Sequence, residues 1–371
     1  MRSEPVRIDL SAADLDRLHR RLDETVLPEP TPGAHGIPMP TLRRLLDRWR
    51  SGEPWRALVE RHAALDHRLV EVEGTRIHCV VLPGPDEGRL PVVLTHGWPY
   101  TVNEMLPLAE LLAERTDVVV PSLPGTLLSQ PLPEPFTSAG VARRWRGLMR
   151  ALGHERFLTY GEDVGSSVSD WLAGAHPDAA VGIVATHASF GVRDRGEAMD
   201  DAERAFFARF DAEGPLAGGY AHQQGSRPDT TAAALLDSPA GLAAWVGEKM
   251  LEWAGDEGLD DDAVLAPVML LHATRSIGTS FRPYADSGER PHPIVEVPAA
   301  VRVQRREVDY PRSLAERSYR DLRSFSVLER GGHFPGLEAP DEVAEAILQL
   351  DAAVRRGSRD AGGCAVRSST G

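Results

Sequence analysis

Lysine and cysteine are both scarce in this chain of 371 residues. Lys and Arg together number 41, but Lys249 is the only lysine, and Cys79 and Cys364 are the only cysteines. Cys79 falls in a predicted strand and Cys364 in a polar C-terminal tail, which argues against a disulfide framework and against a thiolate metal site. This cysteine usage fits a reducing environment, so we expect a cytoplasmic protein.

Long apolar runs are also missing. The first 25 residues are charged and amphipathic, and no segment approaches the roughly 20 consecutive apolar residues that a membrane-spanning helix needs. The formal net charge of −14 argues against binding to nucleic acid or to an anionic membrane surface. Neither nucleic acid nor an anionic membrane is therefore an expected partner. A homo-oligomer is compatible with the sequence, which does not define the oligomeric state.

The hydrophobic periodicity divides the chain into an arm, a core and a cap. Residues 1–66 carry two amphipathic helical stretches, Ser11–Leu22 and Thr41–Arg50, and are predicted to meander and pack on the core. Short apolar strands alternate with helices over 67–189 and 286–357, which predicts an α/β core with a mostly parallel central sheet. Residues 190–285 interrupt this alternation and are predicted to form an inserted helical cap. Residues 358–371 are small and polar, which predicts a disordered tail.

A Gly-x-Asp-x-Gly pattern at residues 161–165 lies between an apolar strand and a helix, with Asp163 at its centre. This is the pattern of a nucleophile elbow in which aspartate replaces serine. The flanking glycines let the helix pack closely against the strand in a strained turn. Because the carboxylate stands at a helix N-terminus, it stays ionised and attacks carbon without a base. The pattern alone leaves open a turn in which Asp163 only caps the helix.

The segment HGWP, residues 96–99, follows the apolar run LPVVLT at the end of a predicted strand. In proteins with a nucleophile elbow, a loop in this position supplies one backbone donor of an oxyanion hole. The expected donors are the N–H groups of Trp98 and Val164, which would stabilise the oxyanion formed when an ester of Asp163 is hydrolysed. His96 is expected to be structural.

A histidine follows the last predicted strand, in the segment RGGHF at residues 330–334. The chain order of nucleophile, acid and base makes His333 the predicted general base. A carboxylate between the elbow and His333 must orient the imidazole. Glu307 stands just beyond a predicted strand end, with Asp309 close behind it, and spacing leaves both open.

Five motifs in one order give the sequence a resemblance to a known family. They are HGWP (96–99), GEDVG (161–165), GYAH (219–222), DSPAGLAAW (237–245) and RGGHF (330–334). Together they resemble the epoxide hydrolases that carry an N-terminal meander, a group that includes the microsomal and juvenile-hormone enzymes and bacterial relatives. The resemblance spans most of the chain and implies the α/β-hydrolase fold, with residues 1–66 as the meander and 190–285 as the cap.

The resemblance also implies roles for individual residues. Two cap tyrosines of the family donate hydrogen bonds to the epoxide oxygen, and the matching positions here are Tyr220 and Tyr284. The triad acid maps onto Glu307, although the segment QRR at 304–306 replaces the family's aromatic-proline approach, which keeps Asp309 as an alternative. A valine follows the nucleophile where many relatives have tryptophan. The N–H group is retained, but the pocket is expected to differ.

These features predict an epoxide hydrolase that needs no metal and no organic cofactor. Asp163 would attack an epoxide carbon, and hydrolysis of the resulting ester would release a vicinal diol. Trp98 and Phe334 are predicted to line the pocket, which suits an apolar or aromatic epoxide. Detoxification and natural-product biosynthesis are both compatible with this activity.

Two other functions stay open. A haloalkane or haloacid dehalogenase would use the same Asp-His chemistry, but Val164 offers no side-chain donor to a departing halide. A non-catalytic ligand-binding protein could also keep the fold, because fold does not fix function.

Overall fold

The computed structural model describes residues 3–29, 36–85, 87–191, 199–286 and 292–365. They form a nine-stranded sheet with helices on both faces, an N-terminal meander and a helical cap. Within these ranges no helix is both long and apolar enough to cross a membrane.

The described residues of the meander form three helices, α1 (Ala12–Asp23), α2 (Met39–Arg50) and α3 (Glu53–Ala63). The first two match the amphipathic stretches in the sequence to within two residues at each end. The third was not predicted, although Gly52, with φ +73°, and Pro54 in the first turn mark its start.

The sheet has the strand order β1-β2-β3-β5-β4-β6-β7-β8-β9. Strands β1 to β3 and the pairing of β3 with β5 are antiparallel, whereas all pairings from β5 to β9 are parallel. The predicted mostly parallel sheet is thus confirmed. The strands are β1 (Ser3–Pro5), β2 (Asp66–Val72), β3 (Thr75–Leu82), β4 (Val92–Thr95), β5 (Val118–Pro121), β6 (Phe157–Gly161), β7 (Ala180–Ala185), β8 (Val295–Val303) and β9 (Tyr319–Val327).

The buried strands divide their side chains between two cores. On β4, Val92 and Leu94 belong to one hydrophobic cluster and Val93 to another, because successive side chains point to opposite faces. Each face is covered by helices of the first half of the core, α4 (Val102–Ala113) on one side and α5 (Ser138–Ala151) with α6 (Val164–Ala175) on the other.

The cap lies between β7 and β8 in the chain and is helical, as predicted. Its described helices are α7 (Asp201–Ala217), α8 (Gly219–Ser226), α9 (Pro228–Asp237), α10 (Pro239–Trp253), α11 (Asp261–Thr274) and α12 (Arg282–Ala285). Residues 192–198, where the predicted cap begins, lie outside the described ranges.

The meander bridges the cap and the core. Helix α2 packs against α10 and α11. The Nε atoms of Arg44 and Arg48 lie 2.9 Å and 2.8 Å from carboxylate oxygens of Asp261 and Asp262 in the first turn of α11. Helix α3 also contacts α11, and its His62 is hydrogen-bonded to α4. The sequence predicts packing on the core, and the structure adds these contacts with the cap.

After β8 the described residues form three α-helices, α13 (Arg312–Ser318), α14 (Pro335–Glu338) and α15 (Pro340–Ala365). Helix α15 continues past residue 358, where the sequence analysis placed the start of a disordered tail. The segment from 358 to 365 contains no proline that would end the helix.

Candidate active site

Asp163 lies in a tight turn between β6 and α6. Its φ is +52° and its ψ is −123°, a conformation that few non-glycine residues adopt. The neighbouring glycines stand where no side chain fits. A Cβ at Gly161 would be 2.0 Å from the carbonyl oxygen of Gly165, and one at Gly165 would be 2.2 Å from that of Thr95. The buried Asp163 side chain makes no capping hydrogen bond to α6, so it does not act as a simple helix cap.

The loop after β4 brings a main-chain donor to this carboxylate. The N–H group of Trp98 donates to Asp163 Oδ1 at 3.0 Å. The approach depends on Gly97, since a Cβ there would lie 2.3 Å from the Asp163 Cβ. Val164 is the first residue of α6, where helical N–H groups are not used by the helix itself. Both predicted oxyanion donors therefore border Asp163.

His96 fixes this loop. Its Nε2 accepts a hydrogen bond from Leu123 N–H at 3.0 Å, and its Nδ1 lies 2.8 Å from the carbonyl oxygen of Gly97, to which it donates. Burial lowers the pKa of His96 to about 4, which keeps the ring neutral, with one donor and one acceptor nitrogen. This pairing fits the expected structural role.

His333 lies beside the nucleophile candidate, with Nε2 3.3 Å from Asp163 Oδ2. Its main-chain N–H donates to the carbonyl oxygen of Trp253 at 2.8 Å, and its ring centroid is 4.9 Å from that of the Trp253 indole. The second neighbour is His187, whose ring centroid is 4.7 Å away. Burial lowers the pKa of His187 far below the usual range, so this ring is neutral. His187 was not predicted from the sequence, where its one signal is its position just after β7.

The two candidate acids have different surroundings. Glu307 accepts a hydrogen bond from Ser189 Oγ at 2.5 Å. Burial raises the pKa of Glu307, while the Ser189 bond and the charge of His333 oppose this rise. Asp309 is exposed and forms a two-bond ion pair with Arg209 at 2.7 Å and 2.6 Å, which holds the Asp309 pKa below its usual value. The structure thus brings Glu307 into the electrostatic environment of His333 and engages Asp309 elsewhere.

The predicted tyrosine pair also lies near Asp163. Tyr220 is on α8 and Tyr284 on α12, with ring centroids 5.8 Å apart and hydroxyls hydrogen-bonded to each other. Burial raises the pKa of both phenols well above 10, and the negative charge of Asp163 raises it further. Both hydroxyls therefore remain protonated donors near neutral pH.

Aromatic rings surround these hydroxyls. Trp98 stacks in parallel on Tyr220 at 5.2 Å between centroids and meets the rings of Tyr284, Trp253 and Phe281 at 5.9, 6.4 and 6.2 Å. We call these five residues the aromatic wall. The sequence predicts Trp98 as a pocket residue, whereas Trp253 has no comparable positional signal in the sequence. Phe281 was missed, although it stands three residues before Tyr284.

Phe334, the second predicted pocket residue, is fully buried. Its ring centroid lies 5.3 Å from that of His333 and 5.1 Å from that of Tyr100. It therefore packs behind the histidine.

Lys249 contacts the aromatic wall from α10. Its Nζ lies 5.4 Å from the ring centroid of Tyr220 and 5.9 Å from that of Trp253, within the range of cation–π attraction. The same ammonium group is paired with Glu248 at 2.8 Å and Glu252 at 2.7 Å, and the residue is only 8% exposed. The lysine thus joins two glutamates of α10 to the wall.

Glu162 precedes the nucleophile candidate and is buried. Its Oε1 accepts hydrogen bonds from Tyr160 Oη at 2.5 Å and from Gly336 N–H at 2.6 Å. Burial raises the pKa of Glu162 to about 8, although these bonds oppose the rise. The side chain links the elbow to the segment that follows His333.

This arrangement defines an α/β-hydrolase whose elbow carries a carboxylate. Asp163 has an oxyanion donor on one oxygen and an imidazole beside the other. In the part of the chain that the structure describes, no group of three or more His, Cys, Asp or Glu side chains is placed to bind a metal ion.

Comparison with known proteins agrees with this class. Residues 3–105 match the family described as epoxide hydrolase N terminus, and residues 92–346 match the alpha/beta hydrolase family. A putative epoxide hydrolase from Stigmatella aurantiaca is 31% identical over 382 residues, covering 94% of this chain and 85% of that protein. Epoxide hydrolase 1 from Sus scrofa is 28% identical, covering 93% of this chain and 88% of the relative.

Solved structures give the same result. The Aspergillus niger epoxide hydrolase matches with a TM-score of 0.85 and 26% identity, covering 95% of this chain and 97% of that one. The juvenile hormone epoxide hydrolase of Bombyx mori matches with a TM-score of 0.82 and 25% identity, covering 96% of both chains.

The chain therefore belongs to the epoxide hydrolase family of α/β-hydrolases. It is a hydrolase that converts an epoxide and water to a diol, and covalent ester chemistry on an aspartate is general in this family. The predicted family, fold class and activity are confirmed.

Proposed function

We propose that Asp163 opens the epoxide with Oδ2 as the attacking atom. The supporting observation is that the two carboxylate oxygens have different neighbours. Trp98 N–H donates to Oδ1, whereas Oδ2 faces His333 Nε2. Attack forms a C–O ester bond while the epoxide C–O bond breaks. The electron pair moves to the epoxide oxygen, which takes a proton from the tyrosine pair.

Tyr220 and Tyr284 supply that proton and polarise the epoxide beforehand. Their raised pKa values keep both hydroxyls protonated, so the pair donates without first protonating Asp163. Because the two hydroxyls are hydrogen-bonded to each other, they lie close together, and both can donate to the same epoxide oxygen. Solvent then returns the proton to the phenolate.

His333 acts in the second step, the hydrolysis of the ester. It takes a proton from water as the water oxygen attacks the Asp163 carbonyl carbon, and charge collects on Oδ1. The N–H groups of Trp98 and Val164 stabilise this oxyanion. Its collapse expels the diol alkoxide, which takes the proton back from His333, and one water oxygen remains on Asp163. Asp163 then releases the second water proton to solvent, which restores its carboxylate and balances the proton that solvent returned to the phenolate.

Glu307 orients His333 and stabilises the imidazolium. The charge interaction between the two supports this assignment, as does the separate ion pair of Asp309 with Arg209. The paired variants Glu307→Gln and Asp309→Asn test it. We expect the first to slow ester hydrolysis about 100-fold or more and the second to change it less than about threefold. Equal effects would leave the assignment unsupported.

The substrate is an apolar or aromatic epoxide. The aromatic wall supports this class, since stacked and edge-on rings next to the two hydroxyls provide an apolar surface with two polar donors. Turnover of a panel of aryl, alkyl and hydroxylated epoxides ranks the classes. A preference for hydroxylated epoxides would contradict the assignment of an apolar or aromatic substrate.

A single turnover in heavy-oxygen water tests the nucleophile. Mass spectrometry of the peptide that contains Asp163 should show the heavy isotope in this residue, while the first diol released carries only ordinary oxygen. Asp163→Asn should abolish turnover, and asparagine suits the position because it tolerates positive φ. Direct labelling of the first diol would contradict the ester route. Halide release from haloalkanes without turnover of any epoxide would favour the dehalogenase alternative.

A further inference from the structure

The carboxylate of Glu338 accepts three main-chain hydrogen bonds away from the reacting groups. Its Oε2 accepts from Gly332 N–H at 2.8 Å and from Phe334 N–H at 3.0 Å, so one oxygen holds the residues on both sides of His333. Its Oε1 accepts from Gly255 N–H at 2.6 Å, in the cap segment after α10. An ionised carboxylate has two acceptor oxygens and can serve all three donors, whereas an amide has only one.

The two segments that Glu338 joins touch through their main chains. A Cβ at Gly332 would lie 2.4 Å from the Gly255 nitrogen, so no side chain fits at this contact. The N–H of His333 donates to the carbonyl oxygen of Trp253 in the same region. The histidine loop, defined as residues 331–334, is therefore bonded to the end of α10 on one side and to Glu338 on the other.

The histidine loop needs such bonds because it lies outside regular secondary structure. It begins with Gly331 at φ +83°, a residue with wide conformational freedom. A general base works only within hydrogen-bonding reach of the proton it removes, and a misplacement of about 1 Å can cost about 100-fold in rate.

We propose that Glu338 is a positioning residue for His333. Its carboxylate fixes the histidine loop against the cap segment and so holds the imidazole at the Asp163 ester while water is activated. This inference rests on the proposed function, in which His333 acts in the second step. Asp163 is held by other contacts, so Glu338 should matter for ester hydrolysis and not for ester formation.

The test compares Glu338→Gln with a matched control, Glu342→Gln. Glu342 also accepts a main-chain hydrogen bond, at 2.8 Å, but from Glu329 N–H, which lies outside the histidine loop. Rapid quenching followed by mass spectrometry measures the covalent ester over time, which separates its formation from its hydrolysis. Thermal unfolding of both variants reports on folding.

We expect Glu338→Gln to slow ester hydrolysis about tenfold or more and to change ester formation less than about threefold. The ester then accumulates, so kcat and KM should fall together. A purely structural role would lower the folded fraction, which reduces kcat and leaves KM unchanged. Glu342→Gln should match the unsubstituted enzyme in both steps.

Equal slowing of both steps, an unchanged KM at reduced kcat, or the same behaviour in both variants would overturn the proposal. Should Glu338→Gln fail to fold, Glu338→Asp provides the same comparison. It keeps the charge but is one methylene shorter and cannot reach all three donors. Failure of the proposed function looks different, since a His333→Gln variant would then hydrolyse the ester at the normal rate.

Discussion

The core and the cap contribute to the active site by different means. On the core side, backbone geometry places the groups: Asp163 has positive φ, and Gly97 approaches it so closely that a Cβ would clash. On the cap side, Tyr220 and Tyr284 stand on helices of eight and four residues and are placed by ring packing. We therefore expect substitutions on the core side to lower both stability and activity. Substitutions on the cap side should lower activity while the protein stays folded.

The largest effect on activity is expected from a substitution at Gly97 on the core side, with Gly219 on the cap side as its comparison. Gly97→Ala places a Cβ 2.3 Å from the Asp163 Cβ, so we expect at least about 100-fold lower activity and a loss of about 1–3 kcal/mol in the free energy of unfolding. Gly219→Ala, beside Tyr220 in the cap, meets nothing within 4 Å and should keep activity within about twofold, with stability equal or up to about 1 kcal/mol higher. Steady-state kinetics and urea unfolding measure both. Similar losses in the two variants would remove the contrast between core and cap.

The tyrosine pair tests the cap side. Tyr220→Phe and Tyr284→Phe should each slow ester formation about 10- to 100-fold, because a proton donor to the epoxide oxygen is lost. Unfolding free energies should change by less than about 1.5 kcal/mol, the typical net value of one hydrogen bond. Phe281→Leu changes the aromatic wall without removing a hydroxyl and serves as the control. The tyrosines would lose their assigned role if ester formation stayed normal while its hydrolysis slowed.

Glu162, on the core side, makes the free energy of unfolding depend on pH. Its pKa is about 8 in the folded protein against an ordinary value of 4.5, so the folded state holds a proton that the unfolded chain releases. This residue's contribution is therefore fully present below pH 4.5 and declines as pH rises to about 8, by on the order of 5 kcal/mol.

Glu162→Gln keeps the neutral form at every pH. We expect the variant to gain stability over the unsubstituted enzyme progressively between pH 5 and pH 8, as measured by urea unfolding. Glu345→Gln, at an exposed position on α15, is the control and should show no such trend. A constant difference across the pH range would place the raised pKa in doubt.

The smallest effect is expected at Val164. If the oxyanion is stabilised by the main-chain N–H, Val164→Ala should change the rate of ester hydrolysis by less than about threefold. Pre-steady-state kinetics checks this, with Glu307→Gln as a variant that slows the same step. A loss near 100-fold would mean that the side chain itself contributes.

The same contrast explains what the sequence could predict. Motifs on the core side depend on local backbone geometry, so Asp163 and Trp98 follow from glycine spacing next to apolar strands. The choice between Glu307 and Asp309 depends on Ser189 and Arg209, which lie 118 and 100 residues away in sequence, and no local pattern contains that information.

The cap gives weaker local signals. Tyr220 and Tyr284 stand on short helices without a distinctive periodicity, and only the family resemblance identified them. His187 was missed because a single histidine after a strand has many structural explanations. Helix α3 was missed although Gly52 and Pro54 mark its start, since its apolar residues continue those of α2 with a short break.

The single lysine also has a consequence for chemical labelling. Lys249 carries the only side-chain amine in the chain, and it lies buried between two glutamates and the aromatic wall. An amine-acylating reagent can reach it only when its surroundings in the cap move apart. In a lysine-rich protein such a reagent averages over the whole surface, whereas here its rate of reaction at this side chain would report how often one wall of the active site opens.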